Sequence, residues 1–97
     1  MNANSKYQEL NEMIKISKSL SNPIRIEILN LIKDRISLNQ TELSTHLNMK
    51  LSHVHIHVSI LRRSNLIELQ FIKGIGFINL NNEKVNEYLL WLNKLAS

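Results

Sequence analysis

Apolar positions recur at helical spacing through most of the chain and crowd together only near residues 66–80. Tyr7, Leu10, Met13, Ile14 and Leu20 share one stripe and predict a first helix over about residues 5–20. Asn22-Pro23 reads as a helix start, because Asn can cap and Pro suits a first position whose N–H would be unpaired anyway. The second helix then runs to about Lys33, with Ile24, Ile28, Leu31 and Ile32 inward. Ile36-Ser37-Leu38 is a short extended link, and Asn39 followed three residues later by Glu42 resembles a capping box. A short third helix follows over about 40–47, with Leu43 and Leu47 inward. Asn48-Met49-Lys50 is a turn, and a fourth helix starts at Leu51 or Ser52 and runs to Ser64. Its buried stripe is Val54, Val58 and Leu61, at i, i+4, i+7. Asn65 falls where a left-handed residue commonly ends a helix. Residues 66–72 and 76–80, joined by Lys73-Gly74-Ile75, give a β-hairpin signal. Asn81-Asn82 can cap a last helix to Ala96, carrying Val85, Tyr88, Leu89, Leu92 and Leu95.

That order describes a winged helix-turn-helix with an added helix at each end, mainly α with a small β-hairpin. Ninety-seven residues make one domain, 1–97, without internal repeats or linkers. The helix-turn-helix occupies about 40–64 and the wing about 66–80.

Charge sharpens the picture. The chain carries a net +4 with a pI near 9.6, which suits a polyanionic partner. Residues 36–64 hold three Lys/Arg, one acid and all four histidines. At about 100° per residue, Ser52, Ile56, Ser59 and Arg63 lie opposite the buried stripe of the fourth helix. His53 flanks one side, His55 and Arg62 the other, and His57 lies nearer the core edge. This face suits a DNA major groove: Arg forks onto guanine, Ser bonds either way, and Ile packs on a thymine methyl. Ser52, His53 and Ile56 are the base-contact candidates. Thr41, Lys50, Arg62, Arg63 and Lys73 suit phosphates. His55, His57 and Ser59 complete the DNA-binding set.

The same residues carry a family resemblance. Leu20-Ser21-Asn22-Pro23-Ile24-Arg25-Ile26-Glu27-Ile28-Leu29, Glu42-Leu43-Ser44-Thr45-His46-Leu47 and the run from Val54 to Ile67 resemble, in order and spacing, the bacterial ArsR family of winged-helix repressors. The resemblance covers about residues 16–80 and implies DNA binding by a homodimer. Within it His57 falls on the family's His, whereas His55 replaces the usual Ser and Ile56 the usual Arg. Asn65 stands for the usual Gly, and the hairpin lacks the customary Arg and Tyr. The family's thiolate pair is absent, and residues 65–97 contain no His for its other common metal site, so metal sensing does not carry over.

Other chemistries find little support. There is no cysteine, which removes disulfides and thiolate ligands. His53 and His57, at i, i+4, lack further ligands nearby, so no metal and no cofactor are expected. Asp34 is the only Asp, no Ser–His–acid arrangement is visible, and Gly74-Ile75-Gly76 is no phosphate loop, so an enzyme is not expected. The histidines instead suggest DNA affinity that changes near pH ~6.5. The polar N-terminus is no signal peptide and no apolar run spans a membrane, which suggests a cytoplasmic protein.

The two end helices, about 5–20 and 82–96, have wide apolar stripes. Tyr7, Leu10, Ile14, Tyr88, Leu89, Trp91, Leu92 and Leu95 are the expected homodimer interface. The expected function is a homodimeric repressor that binds double-stranded DNA at an inverted repeat. The alternative is a winged-helix module for protein–protein contact, since fold alone does not fix function.

Overall fold

The structure, a computed structural model, describes residues 3–35 and 38–97, with the side chains of 3–5 left aside. Helix α1 spans Ala3–Ser19 and α2 spans Pro23–Asp34. Asn22 caps α2 through its side-chain oxygen, which accepts from the N–H groups of Ile24 and Arg25, while Pro23 occupies the first turn. Of the expected extended link, Ile36 and Ser37 lie outside the described residues. Leu38–Asn39 forms strand β1.

Helix α3 (Gln40–Leu47) opens with the expected capping box: Glu42 N–H donates to Asn39 Oδ1 at 2.8 Å, and Asn39 N–H donates to Glu42 Oε1 at 3.2 Å. It ends at Asn48, whose φ of 52° is left-handed. Asn tolerates that region better than most residues. Helix α4 (Leu51–Arg63) is followed by Asn65 at φ 64°, again left-handed.

Strands β2 (Ile67–Ile72) and β3 (Ile75–Leu80) form the hairpin. The pattern suggested a three-residue link, but Ile75 pairs with Ile72, so the turn is only Lys73-Gly74. Both residues have positive φ, 51° and 80°, the primed two-residue turn whose twist matches a hairpin. Leu66, expected in the strand, precedes it and is buried under it. The sheet order is β1-β3-β2, antiparallel throughout. Helix α5 (Asn82–Ala96) closes the chain, capped by Asn81, which accepts from Lys84 N–H.

The core draws on every layer except α5. Ile16 of α1, Ile28 of α2, Leu43 of α3, Val54 and Leu61 of α4, and Ile78 of β3 are fully enclosed. The stripe expected for α4 is thus the one that is buried, and it fixes which side of α4 faces outward. In α5 no residue is fully buried. Tyr88 and Trp91 half-cover the core, stacked at 6.0 Å, and Tyr88 is joined to α1 by a 2.8 Å hydrogen bond between its hydroxyl and Ser17 Oγ. Lys84 adds ion pairs to Glu87 at 2.9 Å and to Glu12 of α1 at 3.7 Å.

Candidate nucleic-acid interface

The turn between α3 and α4 sets the interface. Asn48 N–H donates to the carbonyls of Ser44 and Thr45, and Ser44 Oγ–H donates to Met49 O at 2.8 Å. These bonds close the turn from inside and leave the first turn of α4 facing outward. Lys50, at the N-cap of α4, makes no side-chain cap bond, and no acid lies in that first turn. The N–H groups at the start of α4 therefore keep no side-chain acceptor, unlike those of α3.

The outer face of α4 is open. Ser52, His53, His55, Ile56, Ser59, Arg62 and Arg63 are all exposed, and none is acidic. Ile56, at its centre, is 57% exposed. Thr41 on α3 and Lys50 in the turn are exposed beside it. Lys73 is exposed too, but at the hairpin tip, on a separate element.

Two of the three histidines of α4 are held by side chains of other helices. His55 Nδ1–H donates to Gln40 Oε1, which ties α4 to the start of α3. His57 is half-buried, and its Nδ1 accepts from Arg25 Nη1 at 3.3 Å. Burial first, then the charge of Arg25 and then His53, push the His57 imidazole below its ordinary pKa. Neutral His57 is the form the Arg25 contact needs. Among the described residues no three His, Cys, Asp or Glu side chains gather where a metal could sit.

Arg25 is the residue the sequence reading passed over. Its Nε donates to Ser19 O at 2.7 Å and its Nη2 to Lys18 O at 3.3 Å, both at the end of α1. It therefore joins α1, α2 and α4. Its signal in the sequence is the Arg two places after Pro23 in the family-like motif. Arg35 similarly meets His46 at 2.9 Å and links the end of α2 to α3.

On α1 and α5, Tyr7, Ile14, Leu89, Leu92 and Leu95 are exposed, and Leu90, not singled out by pattern, is 62% exposed. Leu10, Tyr88 and Trp91 are half-buried. No described helix is long and apolar enough to cross a membrane.

Comparison with known proteins agrees with this architecture. The model of the winged helix-turn-helix DNA-binding family matches residues 21–68. No curated protein sequence matches. Among solved structures, an ArsR-like transcriptional regulator from Rhodococcus sp. RHA1 superposes with a TM-score of 0.83 at 18% identity, over 92% of this chain and 83% of that one. A homodimeric winged helix-turn-helix DNA-binding domain from Mycobacterium bovis, described as a possible ArsR-family regulator, gives 0.80 at 18% identity, over 98% and 87%. Reduced HlyU from Vibrio cholerae gives 0.70 at 25% identity, over 94% and 95%. The chain thus has a winged helix-turn-helix fold of ArsR-like architecture, and residues 21–68 at its centre match the winged helix-turn-helix DNA-binding family.

Proposed function

We propose that the protein is a transcriptional regulator, a homodimeric repressor that grips an inverted-repeat operator with α4 in the major groove. The observation that carries this reading is the outer face of α4, exposed, acid-free and ending in Arg62-Arg63. Base contacts fall to Ser52, His53 and Ile56, with His55, Ser59 and the rim of His57 beside them. Thr41, Lys50, Arg62 and Arg63 meet phosphates, helped by the N–H groups at the open start of α4. Lys73 is the sole cation at the hairpin tip and adds a single wing contact. The role is that of a binder, exercised where the chromosome lies, in the cytoplasm.

The dimer follows from the end helices. Tyr7, Leu10 and Ile14 of α1 join Tyr88, Leu89, Trp91, Leu92 and Leu95 of α5 in a two-fold contact. The homodimeric M. bovis domain of the same fold supports a homodimer. Two copies of α4 about 34 Å apart then meet successive major grooves on one face of DNA.

Selection of bound sequences from random duplexes tests the reading. Enrichment of a palindrome with half-sites about one helical turn apart is expected. A salt titration on the enriched duplex then separates DNA reading from protein contact, because phosphate-driven binding weakens linearly with log salt. No enrichment and no salt-dependent binding would leave the fold as a protein-contact module.

A further inference from the structure

At the C-terminal edge of the outer face of α4, where Arg63 borders both, cationic side chains from three helices converge on one cleft. Lys15 and Lys18 come from α1, Arg25 from the first turn of α2, and Arg63 from the last turn of α4; the cleft has a volume of about 530 Å³. Its floor includes Ser19 and Ser64, whose hydroxyls already donate to Ile16 O at 2.8 Å and Leu61 O at 2.9 Å. Ile60 gives one apolar wall, and no carboxylate lines the space. Glu12 lines a neighbouring depression and is engaged with Lys84.

Part of this positive charge has a structural use. Helices α1 and α4 both end here, and each C-terminus carries roughly half a negative charge. Arg25 bonds directly to the last carbonyls of α1. Counted in full, the two helix ends supply about one negative charge against four cations, leaving a surplus of about three. That surplus is more than helix capping needs, and a compact polyanion would neutralise it.

We propose that this cleft is an anion site for a phosphate-class ligand, supplied as a free small molecule or as a backbone phosphate of bound DNA. Lys15, Lys18 and Arg63 are exposed and provide the adjustable charges, while the half-buried Arg25 holds the inner side. Because Arg25 also donates to His57 on α4, occupancy of the cleft bears on the seating of the reading helix.

The test compares the full chain with its Lys15→Gln/Lys18→Gln double variant, in two arms. In the first, inorganic phosphate is titrated at constant ionic strength, with chloride as the balancing anion, and amide NMR shifts are followed. A free-ligand site gives saturable shifts around residues 15–19, 25 and 60–64, and the double variant raises the half-saturation concentration at least about fivefold. In the second arm, duplex DNA affinity is measured against salt. A backbone-phosphate site shows no saturation with phosphate, but the double variant flattens the slope by about 1. Phosphate shifts no larger than those of chloride, together with an unchanged slope, would overturn the proposal. If the chain binds no DNA, the first arm alone decides, so the two readings fail separately.

Discussion

Arg25 shows how one side chain sets several features at once. Its three nitrogens bond to the end of α1 and to His57 on α4, so its removal strands the Ser19 carbonyl, leaves that of Lys18 to Ser21, and loosens α4. Charged hydrogen bonds of this kind contribute about 1.5–3 kcal/mol net. Arg25→Met is expected to lower unfolding free energy by about 2 kcal/mol in urea melts, and Arg25→Lys to recover only part of it. His57 makes a second prediction. Its folded pKa is depressed, so the unfolded chain binds the proton more readily over the interval below about pH 6.5. Its contribution to stability is full above that pH and is lost as pH falls through the lowered folded value. Melts between pH 7.5 and 5 should show stability falling with acid, and His57→Gln should flatten that fall. The same shift means that His57 gains charge later than an ordinary histidine, so it adds little to any rise in DNA affinity near pH 6.

Helix ends and turns divide into those that are closed and those left open. Asn39 closes α3 with a complete capping box, and Asn39→Ala should cost about 1 kcal/mol in denaturant melts. The Lys50 side chain caps nothing at α4, so Lys50→Ala should leave stability within about 0.5 kcal/mol while weakening DNA binding. At the wing, Gly74 sits at φ 80°, and Gly74→Ala is expected to destabilise by about 1–2 kcal/mol. These elements were legible in the sequence because each has local chemistry: Asn22-Pro23, Asn39 with Glu42, and Asn48 and Asn65 at left-handed positions. The hairpin turn was read one residue too long because apolar spacing could not say whether Ile75 pairs. The ties of Arg25 to His57 and of Gln40 to His55 were illegible because they cross 32 and 15 residues, and no periodicity encodes such pairs. Phe71 is likewise explained only in three dimensions. Though 63% exposed, it lies opposite Gly76, where an added β-carbon would approach its ring to 3.1 Å. Its ring covers the bare glycine backbone.

As a whole, the molecule is drawn out, 45 × 27 × 22 Å with a radius of gyration of 14.7 Å. A compact domain of this length would have a radius nearer about 13 Å. The excess accompanies a last helix with no fully buried residue and with Leu89, Leu90, Leu92 and Leu95 turned outward. A surface of that kind fits a dimer that sets the spacing of two reading helices, and Leu89→Glu/Leu92→Glu is expected to sediment as a monomer and lose affinity for an inverted repeat. The most direct measurement is DNA affinity of Ile56→Glu beside the wild type, on the selected duplex at one salt concentration. Ile56 stands exposed at the middle of the outer face of α4, so the change leaves the core untouched and places a carboxylate against the bases and phosphates. Loss of affinity by at least about tenfold, with unfolding unchanged, is the expected result. Binding as tight as that of the wild type would mean that this face does not meet DNA.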